Sequence, residues 1–85
     1  MILLDVTVLS PTQVIFEGKA RNMIVPGEQG VFEVLPFHKR ILSRLLAGTM
    51  LIFGETPSEE RGFPMRRGII KVNKNRVTVI MEEAL

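Results

Sequence analysis

Residues 25–38, Val-Pro-Gly-Glu-Gln-Gly-Val-Phe-Glu-Val-Leu-Pro-Phe-His, constrain the fold of this chain more than any other stretch. Pro26, Gly27 and Gly30 open the segment, and Pro36 closes it two residues before His38, the one histidine of the chain. Between these corners Val31-Phe32-Glu33-Val34-Leu35 is an apolar burst broken by a single acid. Proline fixes φ and removes a donor, whereas glycine takes backbone conformations that other residues avoid. A tight loop, a short strand and a second sharp corner follow at fixed spacing, which is the punctuation of β-structure.

The flanking sequence repeats that pattern. Val6-Thr7-Val8 runs to a corner at Ser10-Pro11, and Val14-Ile15-Phe16 runs to Glu17-Gly18. Ala20 to Val25 alternates around Arg21 and Asn22 as far as Pro26-Gly27. Gly48 to Phe53 precedes a polar turn over Gly54-Glu55-Thr56-Pro57-Ser58. Gly68 to Val72 and Arg76 to Ile80 flank Asn73-Lys74-Asn75, where asparagine is expected to supply the left-handed backbone of a hairpin turn. Short strands separated by turn signals predict an antiparallel sandwich or barrel. One segment departs from the pattern: Ile41, Leu42, Leu45 and Leu46 lie at helical spacing, and Gly48 ends the run at once. An irregular strand or a single turn over one end of the core is expected there.

Eighty-five residues make one small domain, 1–85, which buries roughly 60–65% of its unfolded surface. Hydrophobic residues make up 46%, enough for a folded core, and the absence of cysteine excludes disulfides and thiolate metal sites. The longest apolar stretch, Ile41 to Phe53, is too short and too polar to span a bilayer. The amino terminus has neither a basic lead nor a cleavage site, so a cytosolic protein is expected, unless a partner carries it elsewhere.

His38 stands alone, so neither a nucleophile–base pair nor a zinc ligand set can be assembled around it. Pro26 to Gly30 lacks the Gly-Lys-Ser/Thr ending of a phosphate-binding loop. No catalytic, cofactor-binding or metal-binding residue is therefore expected. Net charge is only +2, but Arg61, Arg66, Arg67, Lys71, Lys74 and Arg76 fall in a stretch free of acids. Such a face can be merely solvated, or can meet nucleic acid, anionic lipid or an acidic protein. Nucleic-acid binding usually needs aromatic platforms; there is no Trp or Tyr here, and only Phe63 lies close to the basic stretch. A small basic β-domain binding nucleic acid stays as the alternative to an interaction module.

Taken in order, these pieces resemble the amino-terminal β-sandwich domain of the epsilon subunit of rotary ATP synthase. Leu9-Ser10-Pro11 matches the family's Thr/Ser-Pro corner, and Val14 to Gly18 its Val-Phe-Glu-Gly-like turn. Pro26 to Gly30 matches a Pro-Gly-x-x-Gly loop, and Phe32 to His38 a Phe-Gly-Val-Leu-Pro-Gly-His corner. Leu45 to Ile52 and the paired runs Arg67 to Val72 and Asn75 to Val79 match the remaining elements. The resemblance implies an all-β fold, a ten-stranded antiparallel β-sandwich of two sheets. It also implies a non-catalytic central-stalk rotor subunit that couples the gamma subunit to the c ring of a proton- or sodium-translocating complex. Such a subunit is peripheral, on the cytoplasmic face of the inner membrane, and reaches the membrane only through the complex. Glu28, Gln29, Gly30 and Val31 are then expected to face the c ring, and Phe37, His38, Lys39 and Arg40 the gamma subunit.

Several residues depart from the family pattern. Glu33, Phe37 and Arg67 stand where glycines are typical, Arg40 where a proline is, and Lys71 where a glutamate is. If position 37 keeps a positive φ, phenylalanine there costs roughly 1–2 kcal/mol. Many family members continue beyond the equivalent of Leu85 into two helices that in some bacteria bind ATP and restrain rotation. A form that couples the rotor without that brake is expected here.

Overall fold

A computed structural model describes residues 2–84 of the chain, which form eight strands and no helix. The strands are β1 (Leu4–Leu9), β2 (Val14–Ala20), β3 (Asn22–Gly27) and β4 (Gly30–Val34). They continue with β5 (Ile41–Leu45), β6 (Gly48–Phe53), β7 (Glu60–Asn73) and β8 (Arg76–Glu83). One layer orders as β2-β1-β8, then the second half of β7, then β5. The other takes the first half of β7, then β6, β3 and β4.

Alternation along each strand selects the core. Leu4, Val6 and Val8 of β1, Val77, Val79 and Met81 of β8, and Ile70 and Val72 of β7 are buried from one layer. Met23 and Val25 of β3, Val34 of β4 and Met50 and Ile52 of β6 are buried from the other, and all join a single cluster. Each such side chain contributes roughly 1.5–3 kcal/mol through removal from water. Among the described residues no polar side chain is buried, so the core carries no desolvation penalty of that kind.

The sandwich has eight strands rather than ten, and one of the two missing divisions is accounted for by β7, which runs unbroken through both sheets. β7, 14 residues long, pairs with β6 over Glu60–Met65 and with β5 over Gly68–Val72. Its ladder with β8 shifts register between Met65 and Arg67, leaving Arg66 as an extra residue. That bulge lets Met65 and Ile70, five positions apart, both reach the core, and it bends the strand from one layer into the other. The expectation of a purely antiparallel sandwich is also corrected: β1 and β8 run parallel, from Asp5 opposite Arg76 to Leu9 opposite Ile80.

Three local expectations change. Ile41–Leu45 is a regular strand paired residue by residue with β7, because only Leu45 is buried and ladder bonds offset a weak apolar face. Arg21 interrupts the run from Ala20 to Val25 as a corner between β2 and β3. Its N–H donates to the Phe53 carbonyl at 2.8 Å, and its Nε to that of Gly54 at 2.6 Å. At the β7–β8 turn the positive φ, 58°, falls on Lys74 rather than on an asparagine.

Candidate partner-binding surface

The Pro-Gly-x-x-Gly loop is the turn between β3 and β4, with Gly27 opposite Gly30. Each glycine has its own reason. Gly30 sits at φ 123°, and a Cβ on Gly27 would lie 2.6 Å from the Phe32 ring. Glu28 and Gln29 occupy the exposed tip. The loop is fastened to β5: the Glu28 N–H donates to the Arg44 carbonyl at 3.1 Å, and the Leu46 N–H to that of Pro26 at 2.8 Å. The Arg44–Glu28 ion pair, at 3.8 Å between exposed groups, adds little.

A groove of about 620 Å³ runs beside this loop, between β4 and β5. β4 pairs only with β3, and β5 touches β3 only through Leu45 opposite Gly27, so two strand edges face each other there. Glu28, Gln29, Gly30, Val31 and His38 all line it, together with Leu42. Val31 is 72% exposed and Leu42 76% exposed, which gives the groove an apolar rim.

Phe37, Lys39 and Arg40 do not line that groove. They belong to the connection from β4 to β5, at the far end of β4 from the Glu28 tip, roughly 13–17 Å away at strand rise. Leu35 to His38 form a turn in which the His38 N–H donates to the Leu35 carbonyl at 3.1 Å. Phe37 has φ 66° and is 76% exposed. Its N–H donates to Asn75 Oδ1 at 2.9 Å, and the Asn75 carbonyl accepts from the Asp5 N–H at 2.7 Å. Asn75 thus ties the β7–β8 turn to the Phe37 corner and to β1, a junction that sequence reading missed because its partners are remote in the chain.

The family described as "ATP synthase, Delta/Epsilon chain, beta-sandwich domain" matches residues 3–85. The chain belongs to that family. A relative from Bordetella avium, named ATP synthase epsilon chain, is 36% identical over 85 residues, 100% of this chain and 60% of the relative. Another of the same name from Sulfurimonas denitrificans is 34% identical over 82 residues, 96% of this chain and 62% of the relative. The chain thus spans about three-fifths of the length of the curated relatives it matches. The fold is also that of a chain in the Euglena gracilis mitochondrial ATP synthase, with TM-score 0.88 and 18% identity, covering 98% of this chain and 52% of that one. A chain of the Tetrahymena thermophila central stalk/c-ring structure gives TM-score 0.79 at 14% identity, covering 94% of this chain and 63% of that one.

Against the family pattern the departures sort by geometry. Glu33 sits in a regular strand opposite Ile24 and accepts from Asn22 Nδ2 at 2.7 Å, so no glycine is needed there. Arg67 follows the β7 bulge; its Nε lies 3.3 Å from Glu82, whose other oxygen is 3.5 Å from Arg66. Phe37 alone keeps the backbone that favours glycine. The aromatic nearest the basic stretch, Phe63, is half-buried and packs edge-on against Phe16 at 5.8 Å, with Arg61 5.7 Å over the Phe16 ring. Phe63 is thus one member of an aromatic pair at the core margin.

Proposed function

We propose that this chain is a non-catalytic central-stalk element of a rotary, ion-translocating ATP synthase, holding the gamma subunit to the c ring. The observation that carries the reading is the family match across 3–85, joined to epsilon-chain relatives aligned over the whole chain. Its place is peripheral, at the cytoplasmic face of the membrane, reached through the complex. The domain, 1–85, acts as one rigid spacer. The Glu28–Val31 tip faces the c ring, and the Phe37–Arg40 corner faces gamma. The separation of Phe37, Lys39 and Arg40 from the tip along β4 supports the assignment of those three, because a coupling element must engage two partners without their competing for one surface. His38 shares the groove with the tip and gains no such support.

Cysteine cross-linking within the assembled complex tests it. A cysteine at Gln29 is expected to cross-link to a c subunit, and one at Lys39 to gamma. Cross-links in the opposite sense, or assembly of the complex without this chain, would refute the reading. Binding of the isolated protein to single-stranded DNA that weakens steeply with salt would favour the nucleic-acid alternative instead.

A further inference from the structure

Among the described residues only two non-glycine residues have positive φ, Phe37 at 66° and Lys74 at 58°. They are neighbours in space, because the Phe37 N–H donates to the side chain of Asn75, the residue after Lys74. Both are exposed, so neither strained conformation is compensated by burial of the side chain it carries. Glycine would fit both turns without strain, and backbone strain of this kind concentrates where a surface is used.

The surroundings define the chemistry. Leu35, 48% exposed, accompanies the Phe37 ring as apolar surface. Asn75, which accepts from the Phe37 N–H, also lines a hollow of about 390 Å³, together with Lys71, Lys74, Arg76, Asn73 and Asp5. Asp5, the acid of the hollow, is engaged by Lys19. Lys71, Lys74, Arg76, Lys39 and Arg40 make no ion pair among the described residues, and all five are exposed. A corner bearing an exposed aromatic side chain is thus joined, through Asn75, to a turn whose hollow carries three cations without an ion pair among the described residues.

We infer that Phe37 is an anchor for a protein partner, entering an apolar pocket while an acidic segment on that pocket's rim fills the Lys71–Lys74–Arg76 hollow. Charge complementarity calls for an acidic partner, the rotor reading makes that partner a protein, and a single exposed ring suits a pocket better than a flat face. The inference rests on the rotor reading, under which the partner is the gamma subunit. It adds that this corner binds through a residue whose backbone favours glycine, so that affinity is gained at the expense of stability. A feature serving only the fold would show the opposite relation.

The test measures affinity of the full-length protein for purified cognate gamma, beside the melting temperature of each variant. Phe37→Ala is expected to weaken binding at least about tenfold with little change in melting. Phe37→Gly is expected to weaken binding equally while melting higher than wild type. Lys74→Gly also raises melting, and it flattens the loss of affinity that added salt causes in the wild type. Unchanged affinity in both Phe37 variants overturns the anchor and leaves the rotor reading standing. Failure of wild-type protein to bind gamma overturns both. Normal gamma binding by Phe37→Ala, with loss of binding to phosphatidylglycerol vesicles that the wild type retains, would reassign the corner to a membrane surface and overturn the inference.

Discussion

Substituting Gly27 by alanine is the sharpest test of why the Pro-Gly-x-x-Gly loop has its sequence. The added Cβ would lie 2.6 and 2.7 Å from two carbons of the Phe32 ring and 2.8 Å from the Gly30 carbonyl oxygen, where 3.4–4 Å is ordinary contact. The ring cannot simply swing aside, because Phe32 is packed against the core. The carbonyl is backbone in the opposing strand, so relief on that side means opening the Gly27–Gly30 turn. Overpacking of this degree costs about 2–3 kcal/mol. In a domain of this size that lowers the melting temperature by about 10–20 °C. Thermal denaturation followed by far-ultraviolet circular dichroism measures it. Gly62→Ala is the control: its Cβ meets only side-chain methyls at 3.4 and 3.5 Å, so it should be neutral or stabilise by about 0.4–1 kcal/mol. Adding Phe32→Leu to Gly27→Ala should recover part of the loss caused by the ring and none of that caused by the carbonyl. A Gly27→Ala protein melting within about 2 °C of wild type, less than even 1 kcal/mol would produce, would refute the argument.

Asn75→Ala should cost about 0.5–1.5 kcal/mol by leaving the Phe37 N–H without its 2.9 Å acceptor, and Asn75→Asp, which keeps the acceptor oxygen, should lose less in the same denaturant titration. Met50→Ala, which empties a fully buried site, should cost about 2–5 kcal/mol and show as a lower urea midpoint at unchanged slope. The hydrogen bond from Lys19 holds the Asp5 carboxyl below its ordinary value of 3.8. Because the folded value is the lower one, the pair's stabilisation is complete above 3.8 and is lost as pH falls through the depressed value. The melting difference between wild type and Asp5→Asn should therefore close in strong acid; a difference independent of pH would contradict the assignment.

Much of this architecture was legible because short β-branched runs and their turn residues act locally. Val31–Val34, Gly48–Phe53 and Gly68–Val72 all lie in strands where the pattern predicts them. The first half of β7 was not legible, since Arg61, Gly62, Pro64 and Arg66 mask its period. Pro64 stands opposite Thr49 and takes part through its carbonyl, which accepts from the Ala84 N–H at 3.2 Å, a place that pairing sets and composition does not. The parallel β1–β8 pair joins opposite ends of the chain, which no local signal encodes. The same limit hid the groove, made by β4 and β5 edges left unpaired by their neighbours. By contrast, the strain at Phe37 was legible, since a large residue stands where the family pattern has glycine and the turn has not changed to suit it. The asparagines flanking Lys74 misled: Asn75 is held by two hydrogen bonds to other segments, and the left-handed position falls to its neighbour.

The continuity of β7 through the Met65–Arg67 bulge has a mechanical meaning. Two sheets held only by interlocking side chains can creep past each other under sustained shear, since each apolar contact is weak and re-forms one notch further on. Here one unbroken backbone is hydrogen-bonded into both layers, to β6 on one side of the bulge and to β5 and β8 on the other. Sliding one layer over the other would require peeling that strand from its ladders together, so a load on either layer passes along covalent bonds to its counterpart. Twist applied to one layer is therefore carried into the other through the β7 backbone and not by side-chain contacts alone.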